Sequence, residues 1–223
     1  QGRIASDMSD SLFSKSPLAE TLRPRTLADV VGQTGVITAM AARQGGSGSV
    51  VLWGPPGTGK TTLARILGEE AGQQFVAMSA VFDGVANLRR VFTAAEKDFQ
   101  AGQQTLLFID EIHRFNKAQQ DALLPVLEKG MIRLVGATTE NPSFSLNGAL
   151  LSRLQVLVLH PLETVALLEI LGRAETHLGT RLPLDEDARN ALAVMADGDS
   201  RYLLNLVESL HEFALPPEPL LDP

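Results

Sequence analysis

Hydrophobic and polar positions change period several times along this chain. Val50-Val51-Leu52-Trp53 is a short continuous apolar run rich in β-branched residues, which predicts a strand buried on both faces. From Thr61 to Ala71 the apolar residues Leu63, Ile66 and Leu67 fall at helical spacing. A second strand, Phe75 to Ser79, precedes a helix with apolar positions Val85, Leu88, Val91, Phe92 and Ala95. A third, Thr105 to Ile109, ends in Asp110-Glu111 and precedes a helix over about Lys117 to Glu128. A fourth, Met131 to Ala137, ends in Thr138-Thr139, and a short fifth lies near Gln155 to Leu159. Such alternation predicts a parallel sheet covered on both faces by helices.

After Pro161 the pattern becomes helical throughout. Glu163 to His177 carries Val165, Leu167, Leu168, Ile170 and Leu171; Asp185 to Ala196 opens with an acidic first turn; Asp199 to Phe213 puts Leu203, Leu206, Val207 and Leu210 on one face. The expected organisation is an α/β domain over 17–160 and a helical domain of three helices over 161–214, meeting near His160-Pro161. Thr26-Leu27-Ala28-Asp29 has the form of a capping box, with Asp in place of Glu. Gln44 to Ser49 reads as a flexible loop. Residues 1–16 are expected to be disordered, with an expression scar ahead of Met8. The prolines of 215–223 (LPPEPLLDP) forbid a continuing helix and suit a linker to a further C-terminal domain.

Composition narrows the class. The 223 residues suffice for one full α/β domain and a small second one. There is no cysteine, which excludes a disulfide framework and a thiolate metal site. No apolar run is long enough to cross a bilayer and no signal peptide is evident, so a cytoplasmic location is expected, with no membrane partner. The net charge of −7 is opposite to the basic balance of a dedicated nucleic-acid binder. Any contact with DNA must therefore come from a local patch, an oligomeric ring or residues outside this chain.

The chemistry enters at residues 54–61, GPPGTGKT, which match the P-loop pattern G-x-x-x-x-G-K-[ST]. Strand before, helix after, is the context that makes this a phosphate site rather than a Gly-rich turn that binds nothing. The backbone of Gly54, Pro55, Pro56, Gly57, Thr58 and Gly59 would curl around an anion at a helix N-terminus, with Thr62 following. Lys60 would reach the β- and γ-phosphates, and the Thr61 hydroxyl would hold Mg²⁺. A second motif, Leu106 to Glu111 (LLFIDE), places Asp110 at the carboxyl end of a buried strand, where open α/β sheets bind ligands. Asp110 would hold Mg²⁺ and Glu111 would orient and polarise an attacking water. The plainer alternative is that both cap the next segment.

GPPGTGKT, FIDEIHRFNKAQQDALLPVLE, GATTENPSF, ALLSR and ADGDSRYLLN together resemble the AAA+ ATPases. Within them they resemble the replication-associated recombination protein A family and its relative, the Werner helicase-interacting protein. The resemblance covers about 17–210, and the run from Asp110 through Pro142 is far more specific than the P-loop. Clamp-loader subunits and the Holliday-junction branch-migration motor share fewer of these words.

The resemblance implies a P-loop NTPase fold, a five-stranded parallel sheet with a C-terminal helical lid. It implies ATP and Mg²⁺ as cofactors, and ATP hydrolysis used to remodel DNA at stalled replication forks. It makes Thr139 the sensor 1 residue, with Thr138 the near alternative, Arg153 the arginine finger that reaches a neighbouring subunit, and Arg201 the sensor 2 residue of the lid. An ion pair of Arg201 with Asp197 or Asp199 is the local alternative. Ala19, Val31 and Gln33 are implied adenine contacts, and Leu171 is implied to close the base pocket from the lid. Thr21 and Tyr202 stand where the family commonly has Arg. The implied partners are forked, gapped or single-stranded DNA (bound weakly by this chain alone), further copies of the chain in a tetramer of the full protein, and single-strand-binding or replisome proteins. Nucleoid association follows from the same resemblance. A clamp-loader subunit and a nucleotide-gated recruitment module are the rival functions. His113, Arg114, Asn116 and Lys117 begin the next helix, either as a phosphate-contacting surface or as a solvated helix start. His113 has no second His or Cys at ligand spacing, so it reads as a hydrogen-bonding residue rather than a metal ligand.

Overall fold

The computed structural model describes residues 16–41 and 48–214. The expected expression scar, most of the expected loop at 44–49 and the expected linker at 215–223 lie outside those residues. Five strands form one sheet: β1 (Val50–Trp53), β2 (Gln74–Ser79), β3 (Thr105–Asp110), β4 (Ile132–Thr138) and β5 (Gln155–Val158). Their spatial order is β2-β3-β4-β1-β5 and every pairing is parallel, as the alternating pattern predicts. The helices are α1 (Leu18–Thr21), α2 (Thr34–Ala41), α3 (Lys60–Glu70), α4 (Val85–Gln100), α5 (Lys117–Glu128), α6 (Pro142–Ser145), α7 (Gly148–Leu151), α8 (Thr164–Leu178), α9 (Glu186–Met195) and α10 (Ser200–Ala214).

The continuous apolar runs are buried because the sheet has a core on each face. Successive strand residues point to opposite sides. Val50, Leu52, Leu106, Phe108, Val135 and Ala137 pack with Leu63 and Ile66 of α3 and Met40 of α2. Val51, Leu107, Ile109 and Leu134 pack with Leu88 of α4 and Leu123 of α5. The central β4 is buried along its whole length, whereas the edge strands β2 and β5 are only partly buried.

Predicted helix boundaries hold to within about a residue, and side-chain caps mark the starts of α5 and α9. Asp185 accepts the Ala188 N–H at 2.8 Å, so α9 begins one residue later than its acidic run. The short helices α6 and α7 had a legible signal not used in the sequence reading. Asn141, followed by Pro142 at the first helical position, and Asn147 each cap a first turn. Thr26 to Asp29 does close on itself, the Asp29 carboxylate accepting the Thr26 N–H at 3.0 Å, but it caps only the 3₁₀ turn Leu27–Asp29.

The third core belongs to the lid. Leu167, Leu171, Ala174, Leu192, Leu203 and Val207 from α8, α9 and α10 pack together, joined by Leu18 of α1. Leu18 N–H also donates to Glu208 of α10 at 3.1 Å. The segment 17–22, expected with the α/β domain, thus packs on the lid, because its apolar side chains find the lid core first. Within the lid, Arg189 and Glu175 form a mostly buried pair at 2.5 Å. Burial raises the Glu175 pKa, but bonds from Arg189 and the Leu182 N–H outweigh it, and the net shift is downward. A depressed carboxylate pKa contributes stability above the unfolded value, about 4.3, and loses it as pH falls through the folded value. Glu175→Gln is expected to destabilise the lid by about 1–3 kcal/mol at pH 7. Denaturant melts of both proteins should converge as the pH is lowered through the depressed folded value.

Candidate active site

The loop between β1 and α3 is anchored where it leaves β1. Gly54 N–H donates to Thr138 O at 3.1 Å, and Leu159 N–H donates to Trp53 O at 2.7 Å. A Cβ on Gly54 would lie 2.5 Å from Leu159 O, so only glycine admits this approach of the chain past β5. Gly57 has φ +69°, and a Cβ there would meet Asp199 Oδ1 at 1.8 Å. Thr58 Oγ1 donates to Pro55 O at 2.9 Å, which stiffens the turn.

Lys60, the first residue of α3, is 8% exposed, and its Nζ donates to Gly54 O and Pro55 O at 2.8 Å each. Burial pushes its pKa down; Glu111, Asp110 and Asp199 pull it back up, and Arg201 opposes them. A buried ammonium held by two carbonyls at a helix N-terminus is suited to an anion that completes its shell. The loop therefore fits the phosphates of a nucleotide.

Asp110 ends β3, and its Oδ1 accepts the Glu111 N–H at 3.1 Å. Glu111 adopts a left-handed conformation (φ 53°, ψ 43°) that costs a non-glycine residue about 1–3 kcal/mol. Beyond it, His113 Nε2 lies 3.3 Å from Glu111 Oε2 and 3.4 Å from Glu140 Oε1. His113 Nδ1 lies 2.9 Å from Thr138 Oγ1.

Thr138 and Thr139 separate clearly. Thr138 is the fully buried last residue of β4, and its hydroxyl also accepts the Glu140 N–H at 3.0 Å. Thr139 is exposed just past the strand and its hydroxyl makes no hydrogen bond among the described residues. Thr61 is half-buried in the first turn of α3.

The lid is docked on the P-loop itself. Ser200 N–H and Oγ both donate to Gly57 O, at 3.2 and 2.7 Å. Asp199 Oδ1 accepts the Tyr202 N–H at 2.9 Å, and Arg201 makes no ion pair among the described residues. Arg201 instead lines a cavity of about 420 Å³ that runs from Gly57, Thr58, Gly59 and Thr62 to apolar walls of Ala19, Val30, Val31, Leu162, Ile170 and Leu204. That volume suits a small ligand. Arg173 also lines it, donating to Asp29 O at 2.6 Å and so tying the lid to the N-terminal segment.

Two expected base contacts lie elsewhere. Gln33 is outside this cavity; its Nε2 donates to His160 O at 2.6 Å and its Oε1 accepts the His160 N–H at 3.2 Å. The amide is spent closing a backbone seam. Leu171 is fully buried in the lid core, and its neighbour Ile170 lines the cavity instead, because one residue turns a helix face by about 100°. Ser200 and Arg173 carry no signal in the sequence, since their partners Gly57 and Asp29 are distant in the chain.

Arg153 sits between α7 and β5. Gln155 pairs with Val50, at the end of the sheet where β1 begins, while the P-loop leaves the other end after Trp53. The length of β1 alone, about 13 Å, separates them. Arg153 pairs with Glu128 and donates to Ala149 O at 2.7 Å.

A family model described as ATPase family associated with various cellular activities (AAA) matches residues 50–162. The chain is 48% identical over 209 residues to replication-associated recombination protein A of Coxiella burnetii, covering 89% of this chain and 47% of that protein. It is 44% identical over 204 residues to ATPase WRNIP1 of Dictyostelium discoideum, covering 87% of this chain and 23% of that protein. Among solved structures it resembles the Thermotoga maritima RuvB Holliday junction branch migration motor, with a TM-score of 0.72 and 28% identity, over 86% of this chain and 65% of that one. The chain spans about half the length of the bacterial relative.

Proposed function

Since this chain belongs to the AAA family of ATPases, and within it to the replication-associated recombination protein A family, we propose that it hydrolyses ATP to ADP and phosphate to remodel DNA at stalled replication forks. The observation that carries the reading is Lys60: a buried ammonium in a glycine loop, with Asp110 and Glu111 near and the lid hydrogen-bonded to Gly57. Lys60 and Arg201 bind the phosphates. Thr61 and Asp110 would hold Mg²⁺, which would supply positive charge against the phosphates. Glu111 orients the water, and Thr139, with its free hydroxyl, faces the γ-phosphate or that water. Ala19, Val31 and Thr62 lie along the path of the nucleoside and α-phosphate. Arg153 serves a neighbouring subunit, since its own P-loop is at the far end of β1.

The printed descriptions of the relatives, replication-associated recombination and Holliday junction branch migration, favour DNA as the partner. Work on DNA distinguishes the proposal from a clamp-loader subunit and from a recruitment module with little turnover. The test is the ATPase rate of the complete protein with single-stranded, duplex, gapped and forked DNA. Stimulation by forked or gapped DNA is expected. A rate indifferent to every DNA would overturn the remodelling role, and stimulation only with a sliding clamp present would favour the clamp loader.

With a net charge of −7, DNA binding must rest on few cations. Arg114, at the end of the 3₁₀ turn Ile112–Arg114, and Lys117, the first residue of α5, are both exposed. If several subunits present them to phosphates, log affinity should fall with log salt by about 0.9 per contact. Replacing both by Ala in the complete protein is expected to flatten that slope and leave ATP binding unchanged. An unchanged slope would assign the DNA surface to other residues.

A further inference from the structure

His113 is 4% exposed at its side chain and is the one described group that touches both Glu111 and the end of β4. Its proton can be assigned from its partners. Nε2 faces two carboxylates, Glu111 at 3.3 Å and Glu140 at 3.4 Å, and a bare lone pair there would be repelled by both. Nε2 therefore carries hydrogen, while Nδ1 lies 2.9 Å from the Thr138 hydroxyl, whose proton also has Glu140 O within reach at 3.2 Å. Thr138 in turn is tied to Glu140 through the Glu140 N–H at 3.0 Å. Both distances lie beyond the usual span of about 2.7–3.2 Å for an N–H···O bond, so the imidazole faces two carboxylates and is held closely by neither.

We propose that His113 is a positioning residue that fixes one carboxylate oxygen of Glu111, and that Glu140 competes with Glu111 for the same imidazole N–H. This rests on the reading of Glu111 as the water-orienting carboxylate. With Oε2 held by His113, Oε1 is free to face the water, and the strained backbone of Glu111 gains a second anchor. Glu140 directly follows Thr139, so a shift at the end of β4 decides which carboxylate the imidazole holds. The arrangement couples what β4 senses to the readiness of Glu111. Holding a reacting group in place matters greatly, since a misplacement of about 1 Å can cost on the order of 10²-fold in rate.

The experiment compares three replacements of His113 in the complete protein, reading kcat and ATP affinity separately. Gln offers an N–H near the position of Nε2; Asn offers one only near Nδ1; Phe offers none. Expected are a kcat near the natural value for His113→Gln and losses of about 10- to 100-fold for His113→Asn and His113→Phe. ATP affinity should stay within about twofold in all three, which also reports that each variant is folded. Thr138→Val should lower kcat less than additively with His113→Phe, because both act through one network. Glu140→Ala should leave kcat at or above the natural value. Equal losses in all three His113 variants, or none, would overturn the positioning role, and a loss in Glu140→Ala matching that of His113→Phe would overturn the competition. Glu111→Gln is measured alongside. If it hydrolyses ATP at the natural rate, the reading of Glu111 fails; if it is inactive while His113→Phe is fully active, only the role of His113 fails.

Discussion

Lys60→Ala is expected to abolish tight ATP binding, and Glu111→Gln to retain binding while losing hydrolysis. The two effects differ because the groups act at different moments. The Lys60 ammonium is buried, donates to the carbonyls of Gly54 and Pro55, and feels the negative charge of Glu111, Asp110 and Asp199. Bonds to a charged partner contribute about 1.5–3 kcal/mol each, so losing the contacts to two phosphates weakens affinity by a factor of about 10² or more. The carbonyls would also lose their donor, a second cost to the loop. Glu111 follows Asp110, the proposed Mg²⁺ ligand, and its replacement by an isosteric amide removes charge and basicity without removing volume. A general base contributes about 10²- to 10⁴-fold, and that is the expected fall in turnover. Nucleotide binding measured with a fluorescent ATP analogue and phosphate release measured under saturating ATP separate the two. Hydrolysis by Glu111→Gln at the natural rate would remove Glu111 from the role assigned to it.

Arg153→Ala should leave nucleotide affinity nearly intact and cut turnover by up to ~10³. Its position just before β5, about a strand length from the P-loop, favours action in a neighbouring site over its own. Its pairing with Glu128 is no obstacle to action in a neighbour. Both side chains are partly exposed, at 37% and 55%, and such surface pairs contribute about 0–1 kcal/mol. A γ-phosphate offered by the next subunit can displace Glu128 at little cost. The direct test mixes Arg153→Ala with Glu111→Gln in the complete protein. Activity should return in mixed oligomers, because an intact Glu111 from one subunit can then meet an intact Arg153 from another. Confirmed mixing with no recovery at any ratio would remove Arg153 from the neighbouring site.

Much of this architecture was legible from residue order alone. Continuous apolar runs such as Val50 to Trp53 and Leu106 to Ile109 can be satisfied only inside a sheet covered on both faces, so their alternation with helical periods determined a parallel α/β fold. The P-loop and the Asp110-Glu111 pair were equally local. Their chemistry depends on a strand end, a glycine turn and a helix start that are contiguous in the chain. Tertiary structure decided the rest. Gln33 meets His160, Arg173 meets Asp29, and Ser200 meets Gly57 across 127, 144 and 143 positions of sequence, so no local pattern could announce them. Whether Ile170 or Leu171 faces the cavity depends on the rotation of α8 against the lid core, which is set by packing in three dimensions. The meeting of His113, Glu111, Thr138 and Glu140 is of the same kind: the sequence supplied polar residues at two strand ends, and only the pairing of β3 with β4 brought them within hydrogen-bonding distance.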